Sequence, residues 1–475
     1  MEHEYLTRSA NPLVRVHGGT NVWKQIFSFL GPAFLISVGY MDPGNWATDI
    51  AAGSALGYSL LWVLLLSNIM ALILQYLSVK LGIVAKMDLA KASRMAYSKP
   101  LNFFLYCLAE VAIIACDLAE VIGMAIGLNL LFRIPLLWGV LITLLDTVFI
   151  FFVMRRGTRQ MEGFILGLVF VIGVSFLAEL ILAKPQTGLI LNGFVPSQMN
   201  DLALYMAIGI IGATVMPHNL YLHSSLVQSR KLTPGNKGVL QALRFNLLDT
   251  GLALNLAFFV NTAILILAAS AFYMHGFHKV EGIAQAHNLL RSILGSWAPA
   301  VFAVALIAAG QSSTITGTLA GQVVMEGYLD IRLKPWLRRL LTRSAAIIPA
   351  LVAIFYFGEN SLSRLLVLSQ VVLSLQLGFA VIPLLHFTAS KKLMGRHSNS
   401  FWLSSLGWLC AIVIVGLNMR FLLTEGAEWL HDSHLDKKLL YLVILPLCTL
   451  AVLVLAYLVI EPFVKKVGNI ARANS

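Results

Sequence analysis

The sequence predicts an all-α integral membrane protein, built as two five-helix halves of opposite topology with the first helix of each half interrupted. Three observations predict it. Hydrophobic residues make up 58% of the chain and charged residues 12%, with a mean hydropathy of +0.81, whereas a soluble domain is nearer a quarter charged. The apolar residues gather into about twelve runs, eleven on a stricter reading, each near the length that crosses a bilayer. Two of these runs are broken by one pattern, X-Pro-x-Asn, as Asp42-Pro43-Gly44-Asn45 and as Met216-Pro217-His218-Asn219.

The spans fall at 27–57, 58–84, 101–132, 135–154, 162–183, 201–229, 246–272, 299–329, 341–357, 365–389, 402–424 and 439–460. The first is divided by the Asp42 tetrapeptide. Proline has no amide donor and clashes with the preceding turn, so a helix does not pass through it smoothly. Broken backbone survives at membrane depth only where it is packed in protein or lines a wet cavity. The third span carries Glu110, Asp117 and Glu120. The sixth holds the second break, which makes five spans from the first break to just before the second. Five is odd, so the second half enters the membrane from the other side. Repeats at roughly 26–184 and 200–390 follow, with extra C-terminal helices over 402–460, all within one domain spanning 1–475. The eighth span carries Gly310, Gly317 and Gly321 among Ser312, Ser313, Thr314, Thr316 and Thr318. Small residues let helices approach closely, so this face serves tight packing or lines a water path.

The net charge of +12 is explained by topology and calls for no nucleic-acid partner. With the N-terminus in the cytoplasm, 25 of the 34 Lys and Arg residues fall in cytoplasmic segments and 8 on the other side. The positive-inside rule therefore places both termini in the cytoplasm. The polar first 25 residues lack the apolar core and cleavage site of a signal peptide, so the first span is expected in the mature protein. Cys107, Cys116, Cys410 and Cys448 all lie in predicted spans without metal-ligand spacing, which suits small buried apolar side chains rather than disulfides. No Gly-Lys dipeptide occurs, so no P-loop for ATP is expected. No Ser/His/Asp or Cys/His catalytic arrangement stands out, and an enzyme is not expected. A resident cofactor is not expected either.

The two breaks offer a distinctive set of ligands. Asp42 brings a carboxylate, Asn45 an amide oxygen and Met216 a thioether, and unwound backbone near Ala213 brings a free carbonyl. Mg²⁺ and Ca²⁺ gain little from sulfur, whereas softer divalent transition metals tolerate or favour it. The set is too sparse for a permanent structural site and suits a cargo that must leave. Glu110, Asp117 and Glu120, spaced seven and three apart, share one helical face. Three acids facing lipid are prohibitive, so they face protein or water. They are proton carriers or structural partners of Arg338, Arg339 or Arg343, and the two roles are compatible, because a relay often ends on an arginine. His218 and His223 follow the second break and suit a proton or gating role, metal ligation or structural hydrogen bonding. Gln370 and Gln376 lie in the tenth span. Either could close over an ion or bond between helices.

Asp42-Pro43-Gly44-Asn45, Ala213-Thr214-Val215-Met216-Pro217-His218, Asp117-Leu118-Ala119-Glu120 and Gly310-Gln311-Ser312-Ser313-Thr314-Ile315-Thr316-Gly317-Thr318 together resemble the Nramp family of divalent-metal transporters. The resemblance covers about residues 26–420. It implies a LeuT-like fold, with five-plus-five inverted repeats and discontinuous first and sixth helices. It also implies import of Mn²⁺ or Fe²⁺, and of Cd²⁺ or Co²⁺, with protons as the coupling ion. By motif position, Asp42, Asn45, Met216, the Ala213 carbonyl and Gln370 would hold the metal. Asp42, Asp117, Glu120, His218 and His223 would belong to the proton route, with Glu110, Arg339 and Arg343 beside them. Related magnesium transporters lack the methionine, and Met216 argues against that branch. The partners expected are the metal cation, protons and the bilayer, in a chain that works as a monomer in a bacterial inner membrane. The competing reading is a LeuT-like carrier of amino acids or other small organic solutes, in which Met216 has no role.

Overall fold

The computed structural model describes residues 14–15, 31–146, 148, 152, 158–231, 235–280, 282–359, 361–432 and 445–464. The predicted beginnings of the first and twelfth spans (27–30 and 439–444), most of 147–154 in the fourth, and both predicted cytoplasmic tails apart from Val14, Arg15 and residues 461–464 lie outside them. So does the side chain of Cys448.

The first predicted span is two helices, α1 (Pro32–Gly39) and α2 (Pro43–Leu56), with Tyr40, Met41 and Asp42 between them. Next come α3 (Leu61–Ala85), the short α4 (Leu89–Ala96), α5 (Lys99–Phe132) and α6 (Leu136–Ile142). The fourth predicted span is therefore not one continuous helix within the described residues, because α6 gives way to a turn at Thr143–Leu145. Then follow α7 (Thr158–Ala183), the short α8 (Thr187–Gly193), and the second broken span, α9 (Asp201–Val215) and α10 (Pro217–Leu226). The rest are α11 (Asn236–Ala271), α12 (Ile283–Leu294), α13 (Ala298–Leu329), α14 (Pro335–Phe357), α15 (Ser361–Ala389), α16 (Phe401–Asp432) and α17 (Leu445–Val464).

Among the described residues, nine helical stretches are long and apolar enough to cross a membrane, with Asp201–Ser229 counted as one. The divided α1–α2 pair adds another crossing in two pieces. The main boundary corrections are at α11, which starts ten residues before the predicted 246, and α16, which runs beyond 424. Polar residues at those ends continue a helix that the apolar run alone does not mark. Val14 and Arg15 pair in parallel with Arg230 and Lys231, a contact between distant segments that hydropathy does not report.

Helices α5 and α13 pack closely because glycines remove the side chains between them: a Cβ at Gly310 would lie 2.5 Å from Met124 Cγ. Gly317 and Gly321 clear space for the Glu120 carboxylate and the Arg338 guanidinium. The core beside α2 is aromatic. Trp46 meets Phe176 at 4.6 Å and Phe302 at 5.4 Å between ring centroids, both edge to face, the favoured geometry for such rings.

Candidate functional site

The prolines dictate what the two breaks expose. Proline at position 217 cannot donate to the carbonyl four residues earlier, so the Ala213 oxygen has no helical partner. The chain at Met216 leaves helical conformation (φ 14°, ψ 108°) and α10 begins at Pro217. At the other break, Asp42 caps α2: its Oδ1 accepts from the Asn45 backbone N–H at 2.8 Å, the usual role of aspartate before a helix. The Asn45 side chain joins the two breaks, donating to Asp42 Oδ1 at 2.7 Å and to the Ala213 carbonyl at 3.1 Å. Asp42 and Asn45 are buried, and Asp42 Oδ2 has no hydrogen-bond partner among the described residues.

The structure thus brings Asp42, Asn45 and the Ala213 carbonyl together. Met216 is also buried, and its Sδ accepts from the Asn219 amide at 3.7 Å. Gln370 lies against the first turn of α2, where a Cβ at Gly44 would overlap its amide. Its Nε2 donates to Ser369 Oγ at 3.0 Å, and its Oε1 is unpartnered among the described residues. Gln376 lines a separate apolar groove with Phe104, Phe379 and Asn418. His218 is buried with neither ring nitrogen partnered among the described residues. His223 Nδ1 lies 2.8 Å from Gln75 Oε1, and Gln75 Nε2 donates to the Tyr40 hydroxyl at 2.8 Å.

A second polar centre lies where α5, α13 and α14 meet. Asp117 Oδ1 contacts Arg339 Nη1 at 2.7 Å and Arg343 Nη1 at 2.6 Å. Glu120 accepts from Ser313 and Thr314, each at 2.9 Å, and its Oε2 lies 3.4 Å from Arg339 Nη2 and 3.6 Å from Arg343 Nη1. Arg343 Nη2 also meets Asp146 Oδ2 at 3.1 Å. All five charged side chains are buried. Buried charges persist only when paired and hydrogen-bonded, and here each is. Glu110 stands apart from this cluster in a more exposed pair with Arg338 at 2.7 Å. Each of the three acids of α5 is thus paired with an arginine of α14, the structural partnership that the sequence left open beside proton carrying.

Several residues of these centres escaped the sequence reading. Asp146 is a lone acid inside a predicted span, and the rule applied to α5 also singles it out. Gln311 donates to it at 2.6 Å. Asn261 on α11 donates to the Tyr40 carbonyl at 2.8 Å, and an asparagine in an apolar helix is a weaker signal.

A helix broken near its middle in each half, the two breaks meeting around polar groups, is the architecture of the LeuT-like transporters. Mhp1, a nucleobase-cation-symport-1 family transporter, shares this fold with a TM-score of 0.56 at 15% identity, covering 88% of this chain and 96% of its own. Within that class the chain belongs to the Nramp family, described as natural resistance-associated macrophage protein-like, whose profile matches residues 33–424. It is 53% identical over 421 residues to the divalent metal cation transporter MntH of Nostoc sp., spanning 88% of this chain and 95% of that protein. It is 54% identical over 418 residues to MntH of Xanthomonas campestris pv. campestris, with 87% and 94% covered. The Eremococcus coleocola manganese transporter superposes with a TM-score of 0.83 at 37% identity, covering 96% of this chain and 98% of that one.

Proposed function

We propose that the chain imports divalent transition-metal ions, Mn²⁺ or Fe²⁺ and also Cd²⁺ or Co²⁺, together with protons, by alternating access around its two broken helices. The observation that carries this reading is the meeting of Asp42 Oδ1 and the Ala213 carbonyl on one Asn45 amide, at 2.7 and 3.1 Å. A carboxylate and a carbonyl freed by proline are hard oxygen ligands held on opposite broken helices. MntH of Nostoc sp. and of Xanthomonas campestris are named as divalent metal cation transporters, and the Eremococcus coleocola protein as a manganese transporter, which supports this reading.

In this reading Asp42, Asn45, the Ala213 carbonyl and Met216 ligate the ion, and Gln370 closes on it from α15. Met216 adds the soft ligand that discriminates against Ca²⁺ and Mg²⁺. Asp42 is the one anionic ligand, so it also exchanges a proton for the metal. The cluster beyond it takes the proton onward. Asp117, Glu120 and Asp146 face only Arg339 and Arg343 within it, so with every group ionised one carboxylate is in excess. Taking up one proton neutralises that excess, and buried charge strongly favours such balance. His218 and His223 belong to the same proton route in this reading.

The remaining features belong to the same reading. The repeats run roughly over 26–184 and 200–390, both termini lie in the cytoplasm of a bacterial inner membrane, and the chain acts as a monomer without ATP or a resident cofactor. The test is uptake by the full chain in liposomes with a pH gradient. Mn²⁺ should enter with the unaltered chain and fall to background with Asp42→Asn, which keeps the shape and removes the charge. Robust Mn²⁺ uptake by that variant refutes the assignment.

A further inference from the structure

The chemistry of the junction fixes how its amides point. Asp42 Oδ1, as a carboxylate oxygen, and the Ala213 carbonyl only accept hydrogen bonds, so the Asn45 atom that faces both is its NH₂ donor. The Asn45 Oδ1 then looks the other way, 3.4 Å from Asn261 Nδ2. Asn261 is oriented by the same logic. Its Nδ2 donates to the Tyr40 carbonyl at 2.8 Å, another group that only accepts, while its Oδ1 has no partner among the described residues. The Tyr40 carbonyl sets Asn261, and Asn261 sets Asn45. Both asparagines are buried, so water does not compete for these bonds.

A divalent cation resting on Asp42 and the Ala213 carbonyl excludes the Asn45 NH₂ group from between them. To become a ligand, the amide must turn and offer its oxygen. The turn carries its NH₂ towards Asn261 Nδ2, donor against donor. We propose that Asn261 is a positioning residue that holds the Asn45 amide in its donating orientation, as a tethered competitor of the transported cation. The effect is to limit affinity and to promote release. This inference rests on the metal-transport reading of the site and deepens it.

The sign of the effect separates it from a structural role. Asn261→Leu is close in volume and removes the donor. Calorimetry on the full chain in detergent should show Mn²⁺ binding about three- to tenfold tighter, the worth of one modest hydrogen bond. In liposomes KM and kcat should fall together, because release slows. Asn261→Asp, which sets an acceptor before the turned NH₂ group, should tighten binding at least as much. Damage to packing would weaken binding, so unchanged or weaker Mn²⁺ binding by folded Asn261→Leu overturns the proposal. If neither variant folds, the unaltered chain decides. With asparagine side-chain carbonyls labelled with ¹³C, Mn²⁺ should shift one amide band in the infrared difference spectrum, and no shift overturns the proposal. An unaltered chain that binds no Mn²⁺ would sink the metal-transport reading itself, whereas normal Mn²⁺ binding with an inert Asn261 sinks only this inference.

Discussion

Arg343→Gln tests whether the buried cluster is held together by charge. Arg343 is fully buried and contacts three carboxylates: Asp117 at 2.6 Å, Asp146 at 3.1 Å and Glu120 at 3.6 Å. Its loss does not fall on them equally. Asp117 keeps Arg339 at 2.7 Å. Glu120 keeps Ser313, Thr314 and Arg339. Asp146 keeps the Gln311 amide and loses its direct cation contact. Removing one partner of a buried pair costs about 3–5 kcal/mol, and most of that should sit on Asp146. Arg343→Gln should therefore lower the unfolding midpoint of the purified chain in denaturant. Adding Asp146→Asn to it should restore more than half of the loss, while Asp117→Asn added to Arg343→Gln restores less. The pH dependence has a definite sign. A carboxylate left without its cation is costly only while ionised, so the Arg343→Gln defect should be larger at pH 8 than at pH 5. The assay is equilibrium unfolding of the four proteins at both values. Equal stability of Arg343→Gln and the unaltered chain, or no recovery from Asp146→Asn, refutes the reasoning.

Other perturbations bear on the transport reading. Glu120→Gln should leave Mn²⁺ binding measurable by calorimetry while weakening pH-driven uptake in liposomes; lost binding with intact proton flux would reverse the assigned roles. Met216→Ala should cost Cd²⁺ about five- to a hundredfold in affinity, from a lost contact of about 1–3 kcal/mol. Mn²⁺ should suffer less, and Ca²⁺ and Mg²⁺ should begin to compete. An unchanged selectivity order in competition uptake would mean that this methionine only packs. Pro217→Ala restores an N–H that can recapture the Ala213 carbonyl. Mn²⁺ affinity measured by calorimetry should then fall about two- to tenfold, the worth of one hydrogen bond, and an equal affinity would remove that carbonyl from the site.

What the sequence made legible follows covalent rules and short periods. The freed Ala213 carbonyl is implied by Pro217 four residues on, and the Asp42 cap by Pro43 behind it. The shared face of Glu110, Asp117 and Glu120 follows from spacings of seven and three. Pairings across the chain were not legible in the same way. Arg343 and Asp146 are 197 positions apart, and nothing local links them. The glycines of α13 read as packing residues or as the lining of a water path; Gly310 lies against Met124, and Gly317 and Gly321 open the space that Glu120 and Arg338 fill. Gln370 and Gln376 are six residues apart and so point to different sides of α15. Periodicity implies that both cannot face one site, but only the packing of α2 against Gln370 places that residue beside the break.

The unequal fate of backbone carbonyls at the two breaks explains why one of them is available to a ligand. Interrupting a helix inside a membrane leaves carbonyls that must find partners. At the first break, protein side chains hold two of them. The indole N–H of Trp46 donates to Met41 at 3.1 Å, and Asn261 donates to Tyr40 at 2.8 Å. Trp46 is wedged against Phe176 and Phe302, so its bond is set by packing. At the second break, the Ala213 carbonyl receives the side-chain amide of Asn45 at 3.1 Å. Asn45 has two polar ends and can turn, and when it turns the carbonyl and the Asp42 carboxylate are released together. In the metal-transport reading proposed above, the first break stays fastened by Trp46 and Asn261, while the second is held by an amide that exchanges places with the cation. Sequence symmetry between the two Pro-x-Asn motifs conceals that difference, because it lies in Trp46 and Asn261 rather than in the motifs.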